Sequence, residues 1–109
     1  MAISIGKDAP RIEIGGKAYA LRMSDHDILR LCREAQRRAL NIHISAENEA
    51  LAFLTWAASR LDDMLGGGAA HEIFGDAPVD LAGMIGLYSA IAAERSRAHR
   101  QYIRDRYGV

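Results

Sequence analysis

SAENEALAFLTWAASRLDDMLGGG, residues 45–68, is the stretch that decides the fold. Leu51, Leu54, Ala58, Leu61 and Leu65 recur at alternating steps of three and four, a coiled-coil-like stripe. Phe53, Ala57 and Met64 widen it into a broad core-facing surface. Ser45 is a good N-cap, and Glu47 and Glu49 stand near the positive end of the helix dipole. Gly66-Gly67-Gly68 stops the helix. An apolar face this broad needs covering from both sides of the chain.

Downstream, residues 69–75 (AAHEIFG) read as a short helical turn ending at Gly75. Asp76 and Pro78 then fit the start of a last helix, since proline is tolerated in a first turn. Leu81, Ile85, Tyr88 and Ala92 form its stripe, with Met84, Leu87 and Ile91 beside it. Gly83, Gly86, Ala90 and Ala93 make a second stripe of small residues. Each glycine costs a helix roughly 1 kcal/mol relative to alanine, so the stripe is either tolerated or compensated by close approach of another helix. Residues 94–109, ERSRAHRQYIRDRYGV, continue the last helix beyond the core and then fray. They are either a solvated tail or a docking segment, with Arg95, Arg97, Arg100, Tyr102, Arg104 and Arg106 meeting an acidic or amphipathic partner. The acidic middle of another copy of the chain is one such partner.

Upstream, Ser24 caps a helix running to about Leu40, with Asp27 completing a weak capping box. Ile28, Leu31, Cys32, Ala35 and Ala39 fall on one face, and Arg30, Glu34 and Arg38 on the other. Residues 11–23 read as a β-hairpin. A Gly16-Lys17 turn would set Ile14 opposite Tyr19 and Ile12 opposite Leu21, and a Gly15-Gly16 turn would slip that register. The fold class is therefore mostly α, of the α+β kind: an N-terminal β-hairpin followed by a three- to four-helix bundle. One domain spans residues 1–109, divided into a flexible N-terminus (1–10), the hairpin (11–23), a helical core (24–93) and the arginine-rich end (94–109).

Half of the residues are apolar and the net charge is zero, but the charge is unevenly spread. Residues 45–80 hold seven acids against Arg60 alone, and residues 94–109 hold five arginines against Glu94 and Asp105. Such a dipolar chain can pair with itself or with neighbours, although the same charges also serve to cover solvated faces. A single cysteine, Cys32, excludes an internal disulfide. The opening MAISIGKDAP lacks the apolar stretch of a secretory signal, and no apolar run nears the roughly 20 residues of a membrane helix. A cytoplasmic protein is expected.

No catalytic spacing is present. His26, His43, His71 and His99 are scattered, without the four-residue spacing that lets two imidazoles grip one metal from a helix. His71-Glu72 opens like a zinc-protease motif, but the second histidine would fall at Gly75. The three glycines lack the Gly-Lys-Ser/Thr that holds phosphates. Asp62 and Asp63, as helical neighbours, point about 100° apart. Neither an enzyme nor a cofactor is expected. Nucleic acid is an unlikely partner because the isoelectric point is near neutral.

At Trp56–Asp76, WAASRLDDMLGGGAAHEIFGD, the chain resembles the small tail assembly chaperones of siphovirus-like, long-tailed phages and prophages. These carry an aromatic, acidic residues, a glycine-bearing break, and a short helix ending in Phe-Gly-Asp. Here those are Trp56, Asp62 and Asp63, Gly66 to Gly68, and Ile73-Phe74-Gly75-Asp76. The triple glycine is looser than the usual Gly-acid-Gly break, and the chain is richer in arginine and alanine. The resemblance implies a non-enzymatic role: coating the tape measure protein until the tail tube protein displaces the coat. It also implies residence in the host bacterial cytoplasm, absence from the mature virion, homo-oligomerisation, and in many members a longer frameshifted form. The alternative is a small regulatory or nucleic-acid-binding helical module that uses the C-terminal arginines.

Overall fold

The computed structural model describes residues 10–43, 47–75 and 79–108. An antiparallel hairpin comes first, β1 (Arg11–Ile14) and β2 (Lys17–Ala20). Ile12 pairs with Tyr19 and Ile14 with Lys17, so Gly15-Gly16 is the turn and the Gly16-Lys17 register is not adopted. The reason is backbone chirality. Gly15 and Gly16 have φ of +60° and +83°, and a two-residue turn with both central φ positive matches the twist of its strands. Ile12 and Tyr19 are buried as a cross-strand pair. Arg22 N–H then donates to the Met64 carbonyl at 2.8 Å, and Lys17 pairs with Glu72, fixing the hairpin to the helices.

Helix α1 (Asp25–Leu40) starts at Ser24, whose Oγ accepts from Asp27 N–H at 3.2 Å. Its buried face is Ile28, Cys32 and Ala35. On the outer face Glu34 holds both Arg37 and Arg38, and Arg30 pairs with Asp27.

Helix α2 (Glu47–Leu65) buries Phe53, Ala57, Leu61, Met64 and Leu65. The expected stripe is only half in the core: Leu61 and Leu65 are buried, Leu54 and Ala58 half-buried, and Leu51 is 62% exposed. The face covered by α1 is centred on Phe53 and Ala57, to one side of that stripe. Ser45, the expected cap, lies outside the described residues.

The glycine break delivers the chain to α3 (Ala69–Phe74), as the sequence implies. Helix α4 (Leu81–Tyr107) begins later than the Asp76-Pro78 reading. Its cap is Asp80, whose Oδ1 accepts from Gly83 N–H at 2.6 Å. Asp76 and Pro78 lie outside the described residues. Met84, Tyr88, Ile91 and Arg95 face inward, and α4 packs antiparallel along α1. Tyr88 Oη donates to the Ala57 carbonyl of α2 at 2.6 Å. Gly83, Gly86, Ala90 and Ala93 are all exposed, and a Cβ on Gly86 would meet nothing within 4 Å. Among the described residues no helix covers that small-residue stripe. One apolar cluster joins the hairpin and all four helices.

Helix α4 runs unbroken to Tyr107 instead of fraying. Arg95 meets Asp25 at the first turn of α1, so residues 96–107 project beyond α1 by about 18 Å at 1.5 Å per residue. That projection accounts for the elongated shape, 52 × 29 × 24 Å.

Candidate interaction surface

The segment that carries the resemblance forms the α2–α3 junction. Trp56 lies half-buried on the α1 side of α2, its ring 6.2 Å from Phe53 and 4.4 Å from the Arg38 guanidinium. Stacking of this kind suits a planar cation on an indole face. Asp62 and Asp63 divide their work. Asp62 Oδ1 accepts from Ala70 N–H at 3.0 Å, which satisfies a first-turn amide of α3 that its own N-cap, Gly68, has no side chain to reach. Asp63 points outward to Arg60 at 3.1 Å. Gly66 is buried with φ +116°, and a Cβ there would lie 3.1 Å from Arg22 Nε. Gly75, φ +73°, donates its N–H to the His71 carbonyl at 2.7 Å and ends α3. Phe74 is half-buried beside it. Asp76 lies outside the described residues.

Between α2, α3 and the start of α4 this junction leaves an open groove of about 550 Å³. Leu51, Leu54, Ala58, Phe74, Val79 and Met84 supply its apolar walls, and Asp62 and His71 its polar edge. Among the described residues the Leu51–Ala58 half of the α2 stripe is only partly covered: Leu51 is exposed, while Leu54 and Ala58 are half-buried against the core. Glu47 stands one turn before Leu51 on the same face, and Asp62 one turn after Ala58. The described residues thus form an open, largely apolar trough along α2, with Asp62 and His71 at its polar edge.

No family model matches the chain, and no curated protein or solved structure matches it.

Of the six residues expected to form a C-terminal docking set, five are exposed and one is buried. Arg95 is a correction: it is 7% exposed and held across the α1–α4 contact, Nε 2.8 Å from Asp25 Oδ1 and Nη2 3.2 Å from Oδ2. Glu94 adds a third bond at 3.2 Å. Arg95 is thus a bundle clamp, unavailable to a partner. Arg97, Arg100, Arg104 and Arg106 are exposed, and Tyr102 is 57% exposed. Arg97, Arg100 and Arg104 share one face of the projecting helix. The opposite face continues the core line of α4, from Met84, Tyr88, Ile91 and Arg95 to Ala98 and Tyr102 at steps of three and four.

Among the described residues no three His, Cys, Asp or Glu side chains gather as metal ligands, and no helix is long and apolar enough to cross a membrane. The Cys32 thiol is buried between α1 and its neighbours, and burial pushes it up to about 11. That makes it an inert core side chain. Sequence reasoning missed the Asp25–Arg95 clamp and the open half of the α2 stripe. The clamp was signalled by spacing, because Arg95 falls where the α4 heptad line demands a core residue. The groove had no such signal, since covered and uncovered apolar positions read alike.

Proposed function

We propose that this chain is a non-enzymatic tail assembly chaperone of a siphovirus-like phage or prophage, which binds the tape measure protein and keeps it soluble until the tail tube protein replaces it. The observation that carries the reading is the groove beside Leu51. A long client with amphipathic helices needs a weak, repeated, helix-accepting surface: repetition supplies avidity, and weak single contacts permit displacement. Of the segment that carries the resemblance, Ala58, Asp62, Ala70, His71, Phe74 and Gly75 line that groove, and Trp56, Asp63 and the three glycines lie outside it.

The test is co-expression with a tape measure protein, the very long helical protein that this reading requires beside the chain's gene. The client is expected to move to the soluble fraction with the wild type and to remain insoluble with Leu51→Glu. A client equally insoluble with and without the chain overturns the proposal.

The alternative, a nucleic-acid-binding module, draws on Arg97, Arg100 and Arg104 along one helix face. It requires salt-sensitive retardation of duplex or single-stranded nucleic acid. Unretarded mobility at low salt removes it.

A further inference from the structure

Helices α2 and α4 each carry a heptad-spaced seam that the protomer covers along only part of its length. On α2 the seam is buried at Leu61 and Leu65, half-buried at Leu54 and Ala58, and exposed at Leu51, and these last three line the groove. On α4 it is buried from Met84 to Arg95, half-buried at Ala98 and exposed at Tyr102. The open stretches match in length, because Leu51 to Asp62 spans about 16 Å and residues 96–107 about 18 Å at helical rise. Their charges are opposed. Residues 47–74 carry five acids against Arg60, and residues 96–107 carry four arginines against Asp105.

The two seams cannot meet within one protomer. Met84 lines the groove, and Tyr102 lies on the same helix about 27 Å further along its axis. Among the described residues of one protomer, neither seam is therefore closed by the other.

We infer that the α2–α3 groove receives the projecting end of α4 from a second copy of this chain, head to tail. Tyr102 seats in the trough against Leu51 and Ala58, the small Ala98 lets the helices approach, and Arg106 flanks the seam beside the acidic rim. Arg97, Arg100 and Arg104 lie on the far face and act at longer range, drawing the basic end toward the acidic α2–α3 unit. Because groove and helix end are different surfaces, the contact is heterologous: a pair of copies leaves one groove and one helix end unused, and copies add on in a row or ring. This deepens the chaperone reading by naming what fills the groove before a client does, so a client helix binds by displacing a neighbour's α4.

Complementation between two variants, read by light scattering and sedimentation from micromolar to millimolar concentration, tests the inference. Leu51→Glu spoils the groove and Tyr102→Glu spoils the helix end. Both side chains are more than half exposed in the protomer, and unchanged circular dichroism and thermal midpoints establish that the variants fold. Wild-type mass is expected to rise with concentration past that of a dimer and to fall with added salt. Each variant alone is expected to associate at least about tenfold more weakly, as loss of one anchoring side chain does at a small interface. An equimolar mixture is expected to form a one-to-one complex and stop, since it holds one intact groove and one intact helix end. A wild type that stays monomeric, a closed dimer indifferent to both changes, or variants that fail to complement would each overturn it. Complementation without client solubilisation would remove the chaperone reading and leave this one standing, and the reverse result would do the opposite.

Discussion

The Arg95 guanidinium on α4 grips the Asp25 carboxylate in the first turn of α1 with two bonds, at 2.8 and 3.2 Å. Their separation of 70 residues in sequence makes this the contact that aligns the two helices. Removing the carboxylate leaves the guanidinium, at 7% exposure, with only its single bond to Glu94, and a buried ion deprived of its main partner costs far more than a pair replaced by apolar groups. Asp25→Ala is therefore expected to destabilise the fold by about 2–4 kcal/mol. Arg95→Met keeps the apolar stem packing and is expected to cost clearly less. Urea midpoints of both variants and of the double variant check this; equal costs for the two single changes would contradict it.

Asp62 and Asp63, adjacent in sequence, are expected to respond differently to alanine. Asp62 holds the Ala70 N–H at the start of α3, a capping role whose loss costs about 1 kcal/mol. Asp63 meets Arg60 at the surface, 54% exposed, and its loss is expected to stay within about 0.5 kcal/mol. Thermal melts of the two variants separate the roles.

Gly66 and Gly67 make a second contrasting pair. Gly66 combines φ +116° with an Arg22 guanidinium 3.1 Å from any Cβ, so Gly66→Ala meets both backbone strain and crowding and is expected to cost about 1–3 kcal/mol. Gly67 has an ordinary φ and open space around it. Gly67→Ala is expected to be neutral or to stabilise by up to about 1 kcal/mol, through the entropy of the unfolded chain. Comparable losses at both positions would mean that the break is chosen for flexibility, and not for one conformation.

These contrasts show what the sequence could and could not disclose. Helix existence was legible because Ser24, the triple glycine and the apolar periods are local signals, and each marks an element that is present. The hairpin was legible as a pair of alternating runs, but its register depended on which glycine pair took positive φ, and both pairs were available. By sequence Asp76 and Asp80 are both good caps, so the start of α4 at Leu81 is legible only to within about a turn. Both halves of the Leu51–Leu65 stripe are apolar at the same spacing, so the sequence does not tell the buried half at Leu61 and Leu65 from the exposed end at Leu51. Arg95 was grouped with its neighbours by charge, whereas its heptad position had already set it apart.

Cys32 on α1 and Tyr88 on α4 place two weak acids in the core, 2% and 1% exposed. Burial raises the Cys32 thiol from 9.0 to about 11. The Tyr88 phenol is pushed well above 10, first by burial and then by the nearby thiol, while its hydroxyl donates to the Ala57 carbonyl. Both groups hold their protons more tightly in the folded chain than in the unfolded one. Their contribution is thus fully present below the unfolded values, and it is lost as pH rises through the folded ones. Stability is expected to fall from about pH 9 upward, with the thiol's share complete near pH 11 and amounting to roughly 2–3 kcal/mol. Cys32→Ala should remove the early part of that decline at some packing cost. Tyr88→Phe should remove the later part and lower stability at pH 7 by about 1 kcal/mol through the lost hydrogen bond. Denaturant midpoints at pH 8, 9, 10 and 11 provide the measurement. A midpoint that stays flat across this range would mean that neither group is held neutral by the core, and a decline unchanged in the Cys32→Ala/Tyr88→Phe double variant would assign it to surface groups such as the Lys17–Glu72 pair.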